Sequence, residues 1–100
     1  MKNKEKYESV CFGIISAAGT AKSYFMEAIE LAKAKEDYKE ALDEGNKAFM
    51  EATRAHTEGL QLDATQDLDI GLLLIHAETI LSSAETLRDL ASTIIELINR

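Results

Sequence analysis

Proline and tryptophan are absent from this 100-residue sequence, and there are only five glycines. Proline breaks helices and glycine weakens them, whereas the plentiful Ala, Leu, Glu and Lys favour them, so we expect helix over most of the chain. The single cysteine, Cys11, excludes an internal disulfide and is typical of a reducing cytoplasm. The longest wholly apolar run, Leu72 to Ile75, is far shorter than the roughly 20 residues of a bilayer span.

Basic residues are also few, since 11 Lys and Arg stand against 18 Asp and Glu, for a formal net charge of -7. They are scattered, whereas nucleic acids and anionic membranes select clustered Lys and Arg, so neither is an expected partner. A chain of this size forms one domain and buries only about 60 to 65% of the surface that it exposes when unfolded. A second subunit would therefore add to its stability.

The sequence does contain three segments with apolar residues at helical spacing. We predict a single all-α domain with helices over about residues 4–35, 38–62 and 70–99. The stripe of the first segment consists of Tyr7, Cys11, Ile14, Ala18, Ala21, Phe25, Ala28 and Ala32. The apolar face of the second segment is made mostly of small residues, which allow long antiparallel helices to approach closely.

Two polar stretches predict the turns between these helices. Asp37, followed three residues later by Glu40, resembles an N-cap with its capping-box partner at the start of the second helix. The stretch from Leu62 to Asp69 is rich in residues that cap helices, and we interpret it as the second loop.

The third segment has an apolar arc too wide for one antiparallel hairpin to cover. Beyond its residues at core spacing, it carries apolar side chains on other faces, namely Leu72, Ile75, Ile80, Leu90 and Leu97. Such a helix is expected to bury one side against its own chain and another against a second subunit. The predicted architecture is an antiparallel three-helix bundle that oligomerises.

His76 is the candidate functional residue, because it is an ionisable nucleophile set in an apolar stretch. A neutral imidazole attacks phosphorus near neutral pH, and hydroxyl groups close to it can bond the oxygens of the transferred group. Thr79 lies one helical turn away and Ser83 two turns away. Spacing alone leaves two interpretations open: a phosphoryl acceptor, or a core histidine whose ring is satisfied by hydrogen bonds.

The other candidate residues give no strong indication of a functional site. No two of His56, His76 and Cys11 share the spacing of a metal-ligand motif, so we expect no metal site from them. We interpret His56 as a partly exposed surface or interface residue and Cys11 as a small buried hydrophobe. The segment around Gly19 follows no predicted strand, which argues against a phosphate-binding loop.

Three segments match a known pattern in order and spacing. They read Ala18-Gly-Thr-Ala-Lys-Ser, Glu51-Ala-Thr-Arg-Ala-His-Thr and Leu72-Leu-Leu-Ile-His-Ala-Glu-Thr-Ile-Leu. They resemble Ala-Gly-(Asp/Asn)-Ala-Arg-Ser, Glu-Ala-His-x-x-Gln-Thr and Leu-Leu-Met-Val-His-Ala-Gln-Asp-His-Leu of one family, the enzyme IIA component of the lactose/cellobiose class of the bacterial sugar phosphotransferase system. The resemblance extends from about Glu5 to Ile98.

The resemblance implies a cytoplasmic homotrimer of antiparallel three-helix protomers, a nine-helix bundle with its active histidines in clefts between subunits. It implies that His76 accepts a phosphoryl group from phospho-HPr and passes it to a cysteine of the cognate IIB component. IIB then phosphorylates the sugar as the membrane IIC component imports it, so IIC is an indirect partner. We expect Thr79, Ser83 and Glu78 to be the neighbours of the phosphoryl group.

The chain departs from the family pattern directly after this histidine, where Glu78-Thr79-Ile80 replaces Gln-Asp-His. In the family three copies of the Asp meet on the trimer axis and bind a metal ion, because buried carboxylates repel one another unless a cation compensates them. Thr79 removes these charges, so we expect a trimer without axial Mg²⁺ and without other cofactors. Glu78 either disfavours the phosphorylated state or faces solvent. On the second helix, Thr53 and His56 replace a His and a Gln.

Two alternatives to a phosphocarrier stay open at this level. A regulatory or structural trimer would keep the bundle but not efficient transfer, and the replaced Gln-Asp-His favours it. A generic helical oligomer would close the His76 ring off from solvent, whereas the other two functions need it in an open cleft. The sugar is not readable from the sequence, because in such systems it contacts the membrane component; lactose, cellobiose and chitobiose all remain open.

Overall fold

The computed structural model describes residues 2–64 and 71–100, and these form three helices. The helices are α1 (Lys2–Lys33), α2 (Lys39–Ala64) and α3 (Leu72–Ile98). Tyr7 near the start of α1 bonds to Leu74 at the start of α3, whereas Tyr38 just before α2 bonds to Asn99 just after α3. Helix α2 is therefore antiparallel to the other two, and the predicted all-α three-helix fold is confirmed. None of these helices is long and apolar enough to cross a membrane.

Helix α1 is the centre of the bundle, because it packs along both other helices while α2 and α3 touch each other much less. Its predicted stripe is buried from Cys11 to Ala32. The helices that face it contribute small residues, chiefly Ala41, Ala48 and Ala52 from α2 and Ala77, Ala84 and Ala91 from α3. Gly45 shows how closely the helices pack, since a Cβ atom there would lie 2.7 Å from the Phe25 ring.

The connection between α1 and α2 is a tight turn around Lys35. Lys35 has a φ of 63°, and the amide of Glu36 donates to the Leu31 carbonyl at 2.9 Å, which is the pattern of a Schellman C-cap. The Asp37 carboxylate accepts a hydrogen bond from the Lys39 amide at 3.0 Å, so it does help to start α2. The first helical bond, however, runs from the Leu42 amide to the Tyr38 carbonyl, which makes Tyr38 the N-cap in place of the predicted Asp37.

One side of α3 is left uncovered by the rest of the chain. We call it the outer face of α3; its residues follow one another at intervals of three and four, and all are exposed. They are Leu72, Ile75, Thr79, Ser82, Thr86, Leu90, Thr93 and Leu97. The outer face carries no charge, whereas the charged side chains of α3 project from its other sides. Of the five apolar residues predicted to lie outside the core stripe of α3, Leu72, Ile75, Leu90 and Leu97 are exposed within one protomer, whereas Ile80 is partly buried against the core.

Candidate functional site

His76 lies in the second turn of α3, and its side chain is exposed. Within residues 2–64 and 71–100, no hydrogen bond involves its ring. The interpretation of His76 as a satisfied core histidine therefore does not hold for the protomer. Both ring nitrogens are available, one to attack an electrophile and the other to carry a proton.

The two predicted hydroxyl neighbours differ in their distance from the imidazole. Thr79 is on the next turn of the outer face, and its hydroxyl donates to the Ile75 carbonyl at 3.0 Å. It would have to give up this bond before it could donate to a phosphoryl group. Ser83 is seven residues beyond His76, about 10.5 Å further along the helix axis, and side chains on a helix lean towards its N-terminus. Of the two, only Thr79 is an immediate neighbour of His76.

The sequence left open whether the Glu78 carboxylate lies near the candidate acceptor or faces solvent, and the structure shows its direction. Its carboxylate accepts a hydrogen bond from Nε2 of His56 on α2 at 2.9 Å, so it bridges α2 and α3. Two consecutive steps along a helix rotate the side chain by about 200°, which directs Glu78 and His76 to nearly opposite sides of α3. The carboxylate is therefore held against α2, on the side of α3 away from the His76 ring, and its place beside a phosphoryl group stays a prediction.

His56, predicted as a partly exposed surface or interface residue, is the partner in this bridge. Its imidazole is one-quarter exposed and the Glu78 side chain about one-half. A pair with this exposure is screened by water and contributes little to stability, about 0 to 1 kcal/mol. The His56–Glu78 pair mainly determines the orientation of the Glu78 side chain, because it holds the carboxylate against α2. Two of the positions at which the chain departs from the family pattern, His56 and Glu78, thus contact each other.

Tyr7 is a site residue that the sequence reasoning did not identify. Its position on the apolar stripe of α1 was predicted, but its hydroxyl accepts a hydrogen bond from the Leu74 amide at 2.9 Å. Leu74 precedes His76 by two residues, so Tyr7 contacts the backbone that carries the candidate acceptor. A signal was available in the sequence: Gly71 directly precedes α3 and offers no side chain to cap it.

Cys11 lies beside Tyr7 in the buried cluster that also includes Ile14, Leu74 and Ala77. Burial raises the pKa of its thiol above the ordinary value of 9.0, the Glu78 carboxylate raises it further, and a hydrogen bond from Tyr7 opposes the rise. A buried thiol with a raised pKa has little thiolate near neutral pH, so Cys11 is not a reactive nucleophile.

The raised pKa of Cys11 predicts how stability changes in alkali. The folded protein favours the protonated thiol, so the contribution of this group is complete below about pH 9 and is lost as the pH rises further. The free energy of unfolding should therefore fall more steeply as the pH rises above about 9 in the wild type than in Cys11→Ala. Urea titrations at several pH values measure both slopes, and parallel curves would contradict the prediction.

The position that would hold an axial metal does not suit one. Thr79 offers a neutral hydroxyl whose proton is bonded to the Ile75 carbonyl, while Mg²⁺ is held in proteins mainly by carboxylates and water. In the part of the chain that the structure describes, no group of three or more His, Cys, Asp or Glu is placed to bind a metal.

Comparison with known proteins places the chain among sugar phosphotransferase components. The family model for the lactose/cellobiose-specific IIA subunit of the PTS matches residues 9–99. The chain is 37% identical over 100 residues to the lichenan-specific phosphotransferase enzyme IIA component of Bacillus subtilis (strain 168), with 96% of this chain and 90% of that protein covered. It is 32% identical over 102 residues to the lactose-specific EIIA component of Staphylococcus aureus (strain N315), with 98% of each covered.

A solved structure from the same group of proteins is similar to this chain in fold and sequence. The crystal structure of the PTS cellobiose-specific enzyme IIA from Bacillus anthracis has a TM-score of 0.86 and 34% sequence identity to this chain. The match covers 93% of this chain and 88% of that one. The similarity therefore extends over the whole bundle and includes the helix that carries His76.

Proposed function

The chain belongs to the lactose/cellobiose-specific IIA family of the sugar phosphotransferase system, and from this we propose that it carries a phosphoryl group on His76 between HPr and a IIB component. The observation that supports this role most directly is the exposed imidazole of His76, which bonds to none of the described residues and lies within the segment that resembles the family's histidine segment. The protein would work in the cytoplasm, and the membrane IIC component would be its indirect partner.

The chemistry is a transfer between nucleophiles. A nitrogen of the neutral His76 ring attacks the phosphorus of phospho-HPr, a new N–P bond forms, and the N–P bond to HPr breaks with its electron pair returning to the HPr imidazole. In the second half, a cysteine thiolate of IIB attacks the same phosphorus and releases His76. Both phosphohistidines are high-energy species, so no ATP is needed at this step. The apolar residues around His76 would slow the competing attack by water.

The direction of Glu78 weakens the case for a regulatory or structural trimer without efficient transfer. That alternative is favoured by the replacement of Gln-Asp-His, which introduces a carboxylate at position 78. Because Glu78 bonds to His56 at 2.9 Å, its charge lies on the side of α3 away from His76. Repulsion of an incoming phosphoryl group by Glu78 is therefore small.

We further propose that the chain forms a homotrimer through the outer face of α3, giving a nine-helix bundle. Four large apolar side chains of this face are at least half exposed in the protomer. An uncharged apolar surface along the whole length of a helix is typical of a subunit interface. Thr79 lies within this face, so its three copies would meet where the family has its Asp.

The trimer should need no divalent cation. EDTA is expected to leave the melting temperature and mass of the wild type unchanged, because three Thr79 hydroxyls carry no charge to neutralise. Thr79→Asp should make both depend on Mg²⁺, since three carboxylates repel one another without a cation. Thr79→Asn is the uncharged control. Loss of the wild-type trimer in EDTA, or octahedral density ligated by three Thr79 side chains in a crystal, would contradict this.

Incubation with enzyme I, HPr and phosphoenolpyruvate tests the carrier function. The wild type should gain one phosphate per chain that is stable in alkali and lost in acid, as expected of a phosphohistidine. Binding to HPr or IIB without phosphate uptake would instead support the regulatory trimer. The identity of the sugar would follow from the IIB and IIC components that accept the phosphate.

A further inference from the structure

We propose that Tyr7 is a positioning residue for phosphoryl transfer, because its hydroxyl fixes the start of α3 and so the place of His76. This inference depends on the proposed function of His76. Tyr7 does not touch the reacting atoms itself. It acts through the Leu74 amide, two residues before the acceptor and about 3 Å from it along the helix axis.

Among the described residues, no side chain at the N-cap supplies an acceptor for the first amides of α3. The first amides of a helix have no acceptor within the helix, and a side chain at the N-cap commonly supplies one. The N-cap of α3 is Gly71, which makes no side-chain bond, and the first turn contains no acidic residue. The Ile75 amide does bond to the Gly71 carbonyl, at 3.2 Å. The amide just before it, that of Leu74, donates to Tyr7 at 2.9 Å.

The glycine at position 71 fits the same contact. Its φ of -152° and ψ of -177° are extended backbone that any residue adopts, so the conformation does not require glycine. The contact with Tyr7 is what favours glycine here. A Cβ atom at this position would lie 2.8 Å from the Tyr7 hydroxyl oxygen and 3.5 Å from the ring carbon that bears it. Because Gly71 has no side chain, the Tyr7 hydroxyl has room to bond the Leu74 amide in place of an N-cap side chain.

The Tyr7 hydroxyl is itself held in place. It accepts a hydrogen bond from the Leu74 amide at 2.9 Å, and Cys11 lies one turn along α1 from it. Cys11 and Leu74 belong to one buried cluster, and the Tyr7 ring packs against it. A hydroxyl that is bonded to the backbone of α3, on a packed ring with few rotatable bonds, is a rigid anchor. Without it, the first turns of α3 would fray, as helix ends do, and His76 would sample more positions.

The test uses Tyr7→Phe, which removes only the hydroxyl, and Tyr38→Phe as its matched control. Tyr38 also accepts a side-chain hydrogen bond, from Asn99 at 3.3 Å, but at the far end of α3. Tyr7→Phe should lower the single-turnover rate of phosphorylation at saturating phospho-HPr about fivefold, the equivalent of one neutral hydrogen bond. The half-saturating concentration should not change. Exchange of the Leu74 amide hydrogen should accelerate roughly tenfold. Tyr38→Phe should change none of these.

Two variants at Gly71 separate positioning from a general loss of stability. Gly71→Ala should displace the Tyr7 hydroxyl and reproduce the defects of Tyr7→Phe. In the Tyr7→Phe background, Gly71→Ser has room for its Cβ, and its hydroxyl can cap the same turn from the N-cap position. This double variant should regain both slow exchange at Leu74 and the wild-type transfer rate.

Three results would overturn the proposal. They are an unchanged rate in Tyr7→Phe, an equal loss in Tyr38→Phe, and a double variant that regains slow exchange at Leu74 without regaining the rate. If the wild type takes up no phosphate, the proposed function fails together with the positioning role. If the wild type transfers normally and Tyr7→Phe does too, only the positioning role fails. Amide exchange reports on the anchor in either case.

Discussion

Replacement of His76 by alanine is expected to reduce phosphate uptake from one acid-labile phosphate per chain to none. The imidazole is the nucleophile of the proposed transfer, and alanine leaves nothing at this position that can form an N–P bond. The loss should not come from unfolding, because His76 is exposed and alanine is the best helix former. Mass spectrometry after incubation with enzyme I, HPr and phosphoenolpyruvate, together with circular dichroism, measures both effects.

His56→Gln is the matched control for this experiment, because the chain has only two histidines. The glutamine amide can still donate to the Glu78 carboxylate, so the bridge between α2 and α3 is retained. An acid-labile phosphate on this variant must then lie on His76. The opposite pattern, with phosphate on His76→Ala but not on His56→Gln, would assign the acceptor role to His56 and contradict the proposal.

The fold could be predicted because its information is local. Apolar residues three and four apart define the buried stripe of α1 wherever the helix lies, so its burial from Cys11 to Ala32 follows from the sequence. The same reasoning placed Leu72, Ile75, Leu90 and Leu97 outside the core of α3, and all four are exposed; Ile80, placed with them, is partly buried against the core. Periodicity gives the angle of each residue around its own helix. That angle is sufficient to predict which side of α1 is buried and which side of α3 is exposed.

The site required information that periodicity does not contain. The contact of His56 with Glu78 depends on how α2 and α3 are rotated and shifted relative to each other, and the two residues are 22 positions apart. The contact of Tyr7 with Leu74 spans 67 positions and depends on the level at which α1 and α3 start. The available signals were a histidine and a glutamate at two positions that depart from the family pattern, and a helix start with glycine at its N-cap. Each indicates a contact only once its partner in the fold is known.

A single charge on the outer face of α3 is expected to convert the protein from a trimer to a monomer. Thr86 is exposed near the middle of this face, and in the proposed trimer its three copies lie close to the common axis. Thr86→Glu would bring three carboxylates together out of water, at an effective cost of several kcal/mol for each ion. No basic residue projects from the outer face to compensate them. Light scattering should give the 11.0 kDa mass of one chain instead of three times that value.

Ser92→Glu is the matched control, since it adds the same charge to another exposed position of α3. Ser92 lies away from the outer face, with Arg88 one turn before it and Glu96 one turn after it, so the attraction and repulsion of the new carboxylate nearly cancel. This variant should stay a trimer. Because the four large apolar residues of the outer face are at least half exposed in the protomer, they need cover in solution. A wild type that is monomeric at high concentration, or a Thr86→Glu variant that remains trimeric, would show that another surface provides the contacts between subunits.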